Sequence, residues 1–150
     1  MSIHARSVAP IAFAVLALSG CHKPVSVLAV NPPTPAGIDW SAVPAYPVSL
    51  SDFEFNPSKP TFRQGQPVRL VLSNSGSGRH DFSAPAFFAT VALRPGGAAP
   101  AKGDVSLAAG EKTEIDLVPG AAGQYELECT EFLHSMLGMS GMITVTAASQ

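Results

Sequence analysis

Three side-chain types able to bind a soft metal ion gather toward the end of the chain. Cys129, His134, Met136, Met139 and Met142 lie in one stretch, and His80 stands far upstream in Arg79-His80-Asp81-Phe82. Thiolate, imidazole and thioether together suit copper and other soft ions, whereas calcium or magnesium would call for oxygen donors. Each residue alone has an ordinary reading: a lone histidine is usually solvated, a buried cysteine behaves as a small apolar group, and methionine fills gaps in cores. Their joint placement argues for chemistry. The chain has four histidines, and only His80 and His134 lie beyond the proline-containing segment that precedes the domain.

Such donors need elements to hold them, and the pattern around them is that of antiparallel strands. Short runs with period-two alternation, separated by Gly, Pro, Asn and Ser clusters, predict strands near 47–55, 60–63, 67–73, 104–107, 112–118, 124–130 and 141–147. Val68, Leu70 and Leu72 share one face of the third run, while Ile115 and Leu117 oppose Glu114 and Asp116 in the fifth. In the sixth, Tyr125, Leu127 and Cys129 oppose Glu126, Glu128 and Thr130, which points Cys129 inward. Turn residues support the borders, at Gly65 with Pro67, Asn74 to Gly78, Ala109-Gly110 and Pro119-Gly120. Between 83 and 102 the spacing lapses: Phe87-Phe88-Ala89 reads as the start of a short helix, and Pro95-Gly96-Gly97 with Pro100 as loop. The fold class expected is all-β, a Greek-key β-sandwich of about seven to eight strands, with residues 47–150 as its single domain.

Ahead of that domain the chain carries an address. Residues 1–20 read as a signal peptide: a short polar start with His4 and Arg6, then an apolar run from Val8 to Gly20. That run is well short of the ~20 residues a membrane-crossing helix needs. It ends in Leu18-Ser19-Gly20-Cys21, which resembles the lipobox of bacterial lipoproteins. The resemblance implies lipidation of Cys21, and several acyl chains give stable membrane anchoring. His22 follows, and a residue other than Asp there implies the outer rather than the inner membrane in a Gram-negative envelope. Residues 21–46, with Pro24, Pro32, Pro33, Pro35 and Pro44, read as an extended tether, with packing of residues 38–47 around Trp40 on the domain as an extra edge segment equally open. With Cys21 consumed by lipid, Cys129 has no disulfide partner, because these are the two cysteines of the chain. Nine Lys and Arg stand scattered against eleven Asp and Glu, with no basic stripe of the kind nucleic acid requires.

From about Val48 to Val145 the chain resembles the cupredoxins, the family of plastocyanin, pseudoazurin, amicyanin and azurin. The resemblance rests on one His between strands, His80, followed by Cys129-x4-His134-x4-Met139 on a single loop before the last strand. It implies one copper ion held by His80, Cys129, His134 and Met139, with two imidazoles and a thiolate in a plane and a thioether at a longer axial distance. Met136 lies too near His134 to reach the far side of the metal easily, and Met142 falls in a strand. Met139 sits in the family-like Gly-Met-x-Gly context. Where relatives often carry Asn after the first His, this chain has Asp81, and Thr130 follows the Cys. A hydroxyl of Thr130 donating to Asp81 would join the two loops beside the metal. The loop also departs from its relatives at Glu131-Phe132-Leu133, which makes Phe132, Leu133 and Leu137 a candidate docking patch, with a buried role for Phe132 equally open.

The resemblance implies a mononuclear type 1 copper protein that shuttles single electrons in the bacterial envelope, with a cytochrome or a copper enzyme as redox partner. The alternative reading is a protein for Cu(I) supply, delivery or protection, since the same soft donors retain that ion. Catalysis is not expected. The chain has no His-x-His pair for a further copper cluster and no second Cys in the loop for a binuclear centre.

Overall fold

The computed structural model describes residues 35–149. The signal peptide, Cys21 and the first part of the tether lie outside the described residues. Ten strands and one short helix follow one another: β1 Ala45–Ser51, β2 Glu54–Asn56, β3 Thr61–Arg63, β4 Val68–Asn74, β5 His80–Ser83, α1 Pro85–Phe88, β6 Ala92–Leu93, β7 Asp104–Leu107, β8 Lys112–Val118, β9 Gly123–Glu128 and β10 Ser140–Thr146. They form two five-stranded sheets, ordered β2-β1-β4-β8-β6 and β3-β10-β9-β5-β7.

Alternation along the strands sends one face of each sheet into a shared core. Val48 and Leu50 of β1, Leu70 and Leu72 of β4, and Ile115 and Leu117 of β8 meet Phe62, Phe82, Leu107, Leu127, Ile143 and Val145 from the other sheet. Phe87 of α1 closes one side of this core, stacked on Phe62 with ring centroids 5.6 Å apart. Pro85 opens that helix at its first turn, where a missing N–H costs nothing.

Ten strands form where about seven to eight are expected. Strand β6 arises inside the stretch read as helix start and loop, because Ala92 and Leu93 pair with Val118 and Leu117 of β8. The structure departs from the expected pattern in four further places. The run expected over 47–55 is two strands, β1 and β2, paired antiparallel through Ser51↔Glu54 and turning at Asp52-Phe53. No Gly or Pro marks that turn; Phe53 itself adopts φ 70°. Two pairs are parallel, β1 with β4 and β3 with β10, because the chain crosses from one sheet to the other between β1 and β3 and back again at β4. His80 to Ser83 form a strand that alternation could not reveal, since all four residues are buried. Asp116, expected on a solvated face, is buried because Arg69 of β4 and Arg94 close over it, with Arg69 Nε 2.7 Å from Oδ1 and Arg94 Nη1 3.1 Å from Oδ2. These hydrogen bonds, Arg69 foremost, hold the Asp116 carboxyl below the usual carboxylate range. Arg69 also donates to the Trp40 carbonyl at 2.9 Å and ties the incoming segment to the sheet.

Candidate metal centre

The site lies at one end of the sandwich, where β5, the end of β9 and the start of β10 converge. His80 begins β5, in register with Leu107 of β7, and its side chain is fully buried. Cys129 follows the last residue of β9, and the alternation that buries Leu127 buries its thiol as well. The loop from Thr130 to Met139 then coils back on itself. His134 N–H donates to the Glu131 carbonyl at 3.0 Å, Met139 N–H to the His134 carbonyl at 2.9 Å, and Cys129 N–H to the Met139 carbonyl at 3.1 Å. Gly138 permits this closure with φ 105°, a conformation open to glycine and strained for other residues. Ring closure thus brings Met139 beside Cys129 in the core cluster, fully buried.

Both imidazoles turn the same nitrogen toward the sulfur. His134 Nδ1 lies 3.4 Å and His80 Nδ1 3.9 Å from Cys129 Sγ, and one donor atom from each of the three residues falls within 4.8 Å of the others. With metal–nitrogen and metal–sulfur bonds of about 2.0 and about 2.3 Å, a trigonal angle of about 120° sets nitrogen and sulfur about 3.7 Å apart. The two observed distances bracket that value. The donor set therefore fits a copper ion in size as well as in softness.

The Asp81 amide donates to Cys129 Sγ at 3.3 Å. Burial pushes the Cys129 thiol up, and the backbone amide at Asp81 works against that rise. Thr130 donates its hydroxyl to Asp81 Oδ2. The other carboxylate oxygen of Asp81 is buried without a partner among the described residues. The two residues singled out beside the metal ligands are thus in contact, and they join the β5 and β9 ends of the site.

Of the three methionines, Met136 is 81% exposed and Met142 only partly buried in β10, which leaves Met139 as the thioether inside the protein. Phe132 is 85% exposed; the buried alternative for it does not hold. It shares the surface with Leu133, Met136 and Leu137 of the ligand loop and with Phe53, and these five are the large apolar side chains exposed among the described residues. His134 alone of the candidate ligands reaches that surface, since it is partly exposed.

Sequence reasoning missed Asp52. Its Oδ1 lies 3.3 Å from His80 Nε2, and the Ser77 amide, ahead of His80, holds the Asp52 carboxyl below the usual range. The signal was absent because the turn that carries it reads as the middle of a strand.

A two-sheet sandwich with a thiol and two imidazoles at one end defines a class of small metal-binding β proteins. Residues 11–145 match the family model described as "Cupredoxin-like domain", and the chain belongs to that family, whose metal is copper. Among solved structures it is similar to dithionite-reduced auracyanin from the photosynthetic bacterium Roseiflexus castenholzii, with TM-score 0.52, 17% identity, and coverage of 70% of this chain and 98% of that one. It is similar also to auracyanin B, with TM-score 0.51, 21% identity, and coverage of 78% and 94%. At these identities the likeness is one of fold. None of the curated proteins compared matches the chain.

Proposed function

We propose that this chain is a non-catalytic electron carrier in the cell envelope, holding one copper ion through His80, Cys129, His134 and Met139. The observation that carries the reading is the convergence of two Nδ1 atoms on one buried sulfur, at 3.4 and 3.9 Å. Copper bound there supplies the one-electron couple between Cu(I) and Cu(II). The chain's own residues supply the rest. Three of the four donors sit on one hydrogen-bonded loop clamped between β9 and β10, and the fourth sits on the neighbouring strand, so little can move when the charge of the site changes.

His134 offers the route outward, because its ring is partly exposed, lies edge-on to exposed Phe53, and belongs to a loop that also exposes Phe132, Leu133, Met136 and Leu137. An apolar rim of this kind suits brief docking of a redox protein such as a cytochrome or copper enzyme. Lipidation at Cys21 and the tether that follows would keep the domain at the membrane surface while leaving it free to meet that partner.

The test is the visible spectrum of the chain with Cu(II), beside Cys129→Ser. An intense band near ~600 nm that disappears in the variant and bleaches reversibly with reductant is the expected result. A colourless protein that binds Cu(I) tightly would transfer the reading to copper supply or protection, and a chain that binds neither ion would overturn both.

A further inference from the structure

The turn between β1 and β2 reaches the site from outside the ligand loop. Asp52 Oδ1 lies 3.3 Å from His80 Nε2. An ionised carboxylate only accepts, so Nε2 carries the hydrogen and the Nδ1 facing Cys129 keeps its lone pair. The carboxylate is itself gripped: the Ser77 amide donates to Oδ1 at 3.2 Å and the Ser77 hydroxyl to Oδ2 at 3.2 Å. Gly76 leaves room for this contact, because a Cβ there would lie 2.5 Å from His80 Nε2 and 2.8 Å from Asp52 Oδ1.

The next residue on the turn meets the other imidazole. Phe53 sets its ring edge-on to His134, with centroids 5.3 Å apart and planes at 87°. Its φ of 70° is a conformation that bulky residues rarely adopt. Strain of this kind persists where the surrounding contacts hold it, and here they lie at the site.

We propose that Asp52 is a positioning residue for the copper site, fixing the tautomer of His80 and biasing the site toward the oxidised ion with its negative charge. The inference rests on the copper reading of His80 and Cys129. Histidine ligands oriented by a carboxylate hold their ring and gain basicity, and loss of such a partner costs about 10- to 100-fold in metal affinity.

Asp52→Asn and Asp52→Ala separate the two effects, because an amide oxygen can still accept from Nε2–H but carries no charge. Imidazole nitrogen NMR of the metal-free chain at about pH 8, above the usual histidine range, reports the tautomer directly. The Nε2–H form at His80 is expected in the wild type and in the Asn variant, and a mixture of both forms in the Ala variant. Chelator competition then reads the ratio of Cu(I) to Cu(II) affinity. That ratio is expected to rise several-fold in both variants, and a full tenfold would be about 59 mV for one electron. A His80 tautomer unchanged in Asp52→Ala, or an unchanged affinity ratio in Asp52→Asn, would overturn the inference. A wild type without the thiolate–copper band would instead sink the copper reading, while the tautomer comparison in the metal-free chain still decides the role of Asp52.

Discussion

Gly76→Ala probes how tightly the site is built. The added Cβ would sit 2.5 Å from His80 Nε2, 2.9 Å from His80 Cδ2 and 2.8 Å from Asp52 Oδ1, where ordinary contact begins at 3.4 Å. Asp52 is exposed and can swing aside. The His80 ring is fully buried and must retreat by about 0.9 Å to restore ordinary contact. In the metal-free chain part of that retreat can use the gap between His80 Nδ1 and Cys129 Sγ, which are 3.9 Å apart, and the rest must come from tilting of the ring or a shift of the Gly76 backbone. A metal–nitrogen bond of about 2.0 Å cannot absorb it. The cost should therefore fall on both folding and metal binding. Metal-free stability should fall by about 1–3 kcal/mol, the usual range for overpacking, whereas copper affinity should fall about 10- to 100-fold, as for loss of a histidine's orienting partner. Thermal unfolding of the metal-free chain and competition titration with a copper chelator measure the two parts. Wild-type copper affinity with an unchanged visible band would refute the reasoning, since His80 would then have accommodated the methyl group without leaving the metal.

Two further outcomes follow from buried carboxylates. Asp81→Asn replaces the carboxylate next to His80, whose Oδ1 has no partner among the described residues; a unit charge several ångströms from a metal, at an effective dielectric of ~20–40, contributes about 1–2 kcal/mol. Its loss should favour Cu(I) roughly tenfold, raising the reduction potential by about 60 mV in protein-film voltammetry; an unchanged potential would count against a charged Asp81 beside the copper. Asp116→Asn should cost about 1–3 kcal/mol in denaturant unfolding at neutral pH, because Arg69 and Arg94 lose their shared partner. The folded-state pKa of Asp116 is depressed, so its contribution is present above the unfolded value of about 3.9 and is lost as pH falls through the folded one. Wild type and variant should accordingly converge in stability below about pH 4, and a constant difference down to strong acid would rule out the ion pair as its source.

How much of this protein was legible in one dimension depends on the range of the interactions. Period-two alternation is local, so β4, β7, β8, β9 and β10 could be read to within a few residues, as could the inward aim of Cys129. Spacing and donor type, also local, made the ligand loop stand out, while the pairing of Asp81 with Thr130 followed from the resemblance to the cupredoxins. The strand that starts at His80 escaped because both its faces are covered, which erases alternation. The break of the first run at Asp52-Phe53 escaped because it depends on a strained Phe held by distant contacts rather than on a turn residue. Asp116 looked solvated until Arg69 and Arg94 arrived from β4 and from the end of β6. The exposure of Phe132 and the contact of Asp52 with His80 lie in the third dimension. A side chain's burial and partners are set by which strands pack against it, and that is decided only when the two sheets close on one another.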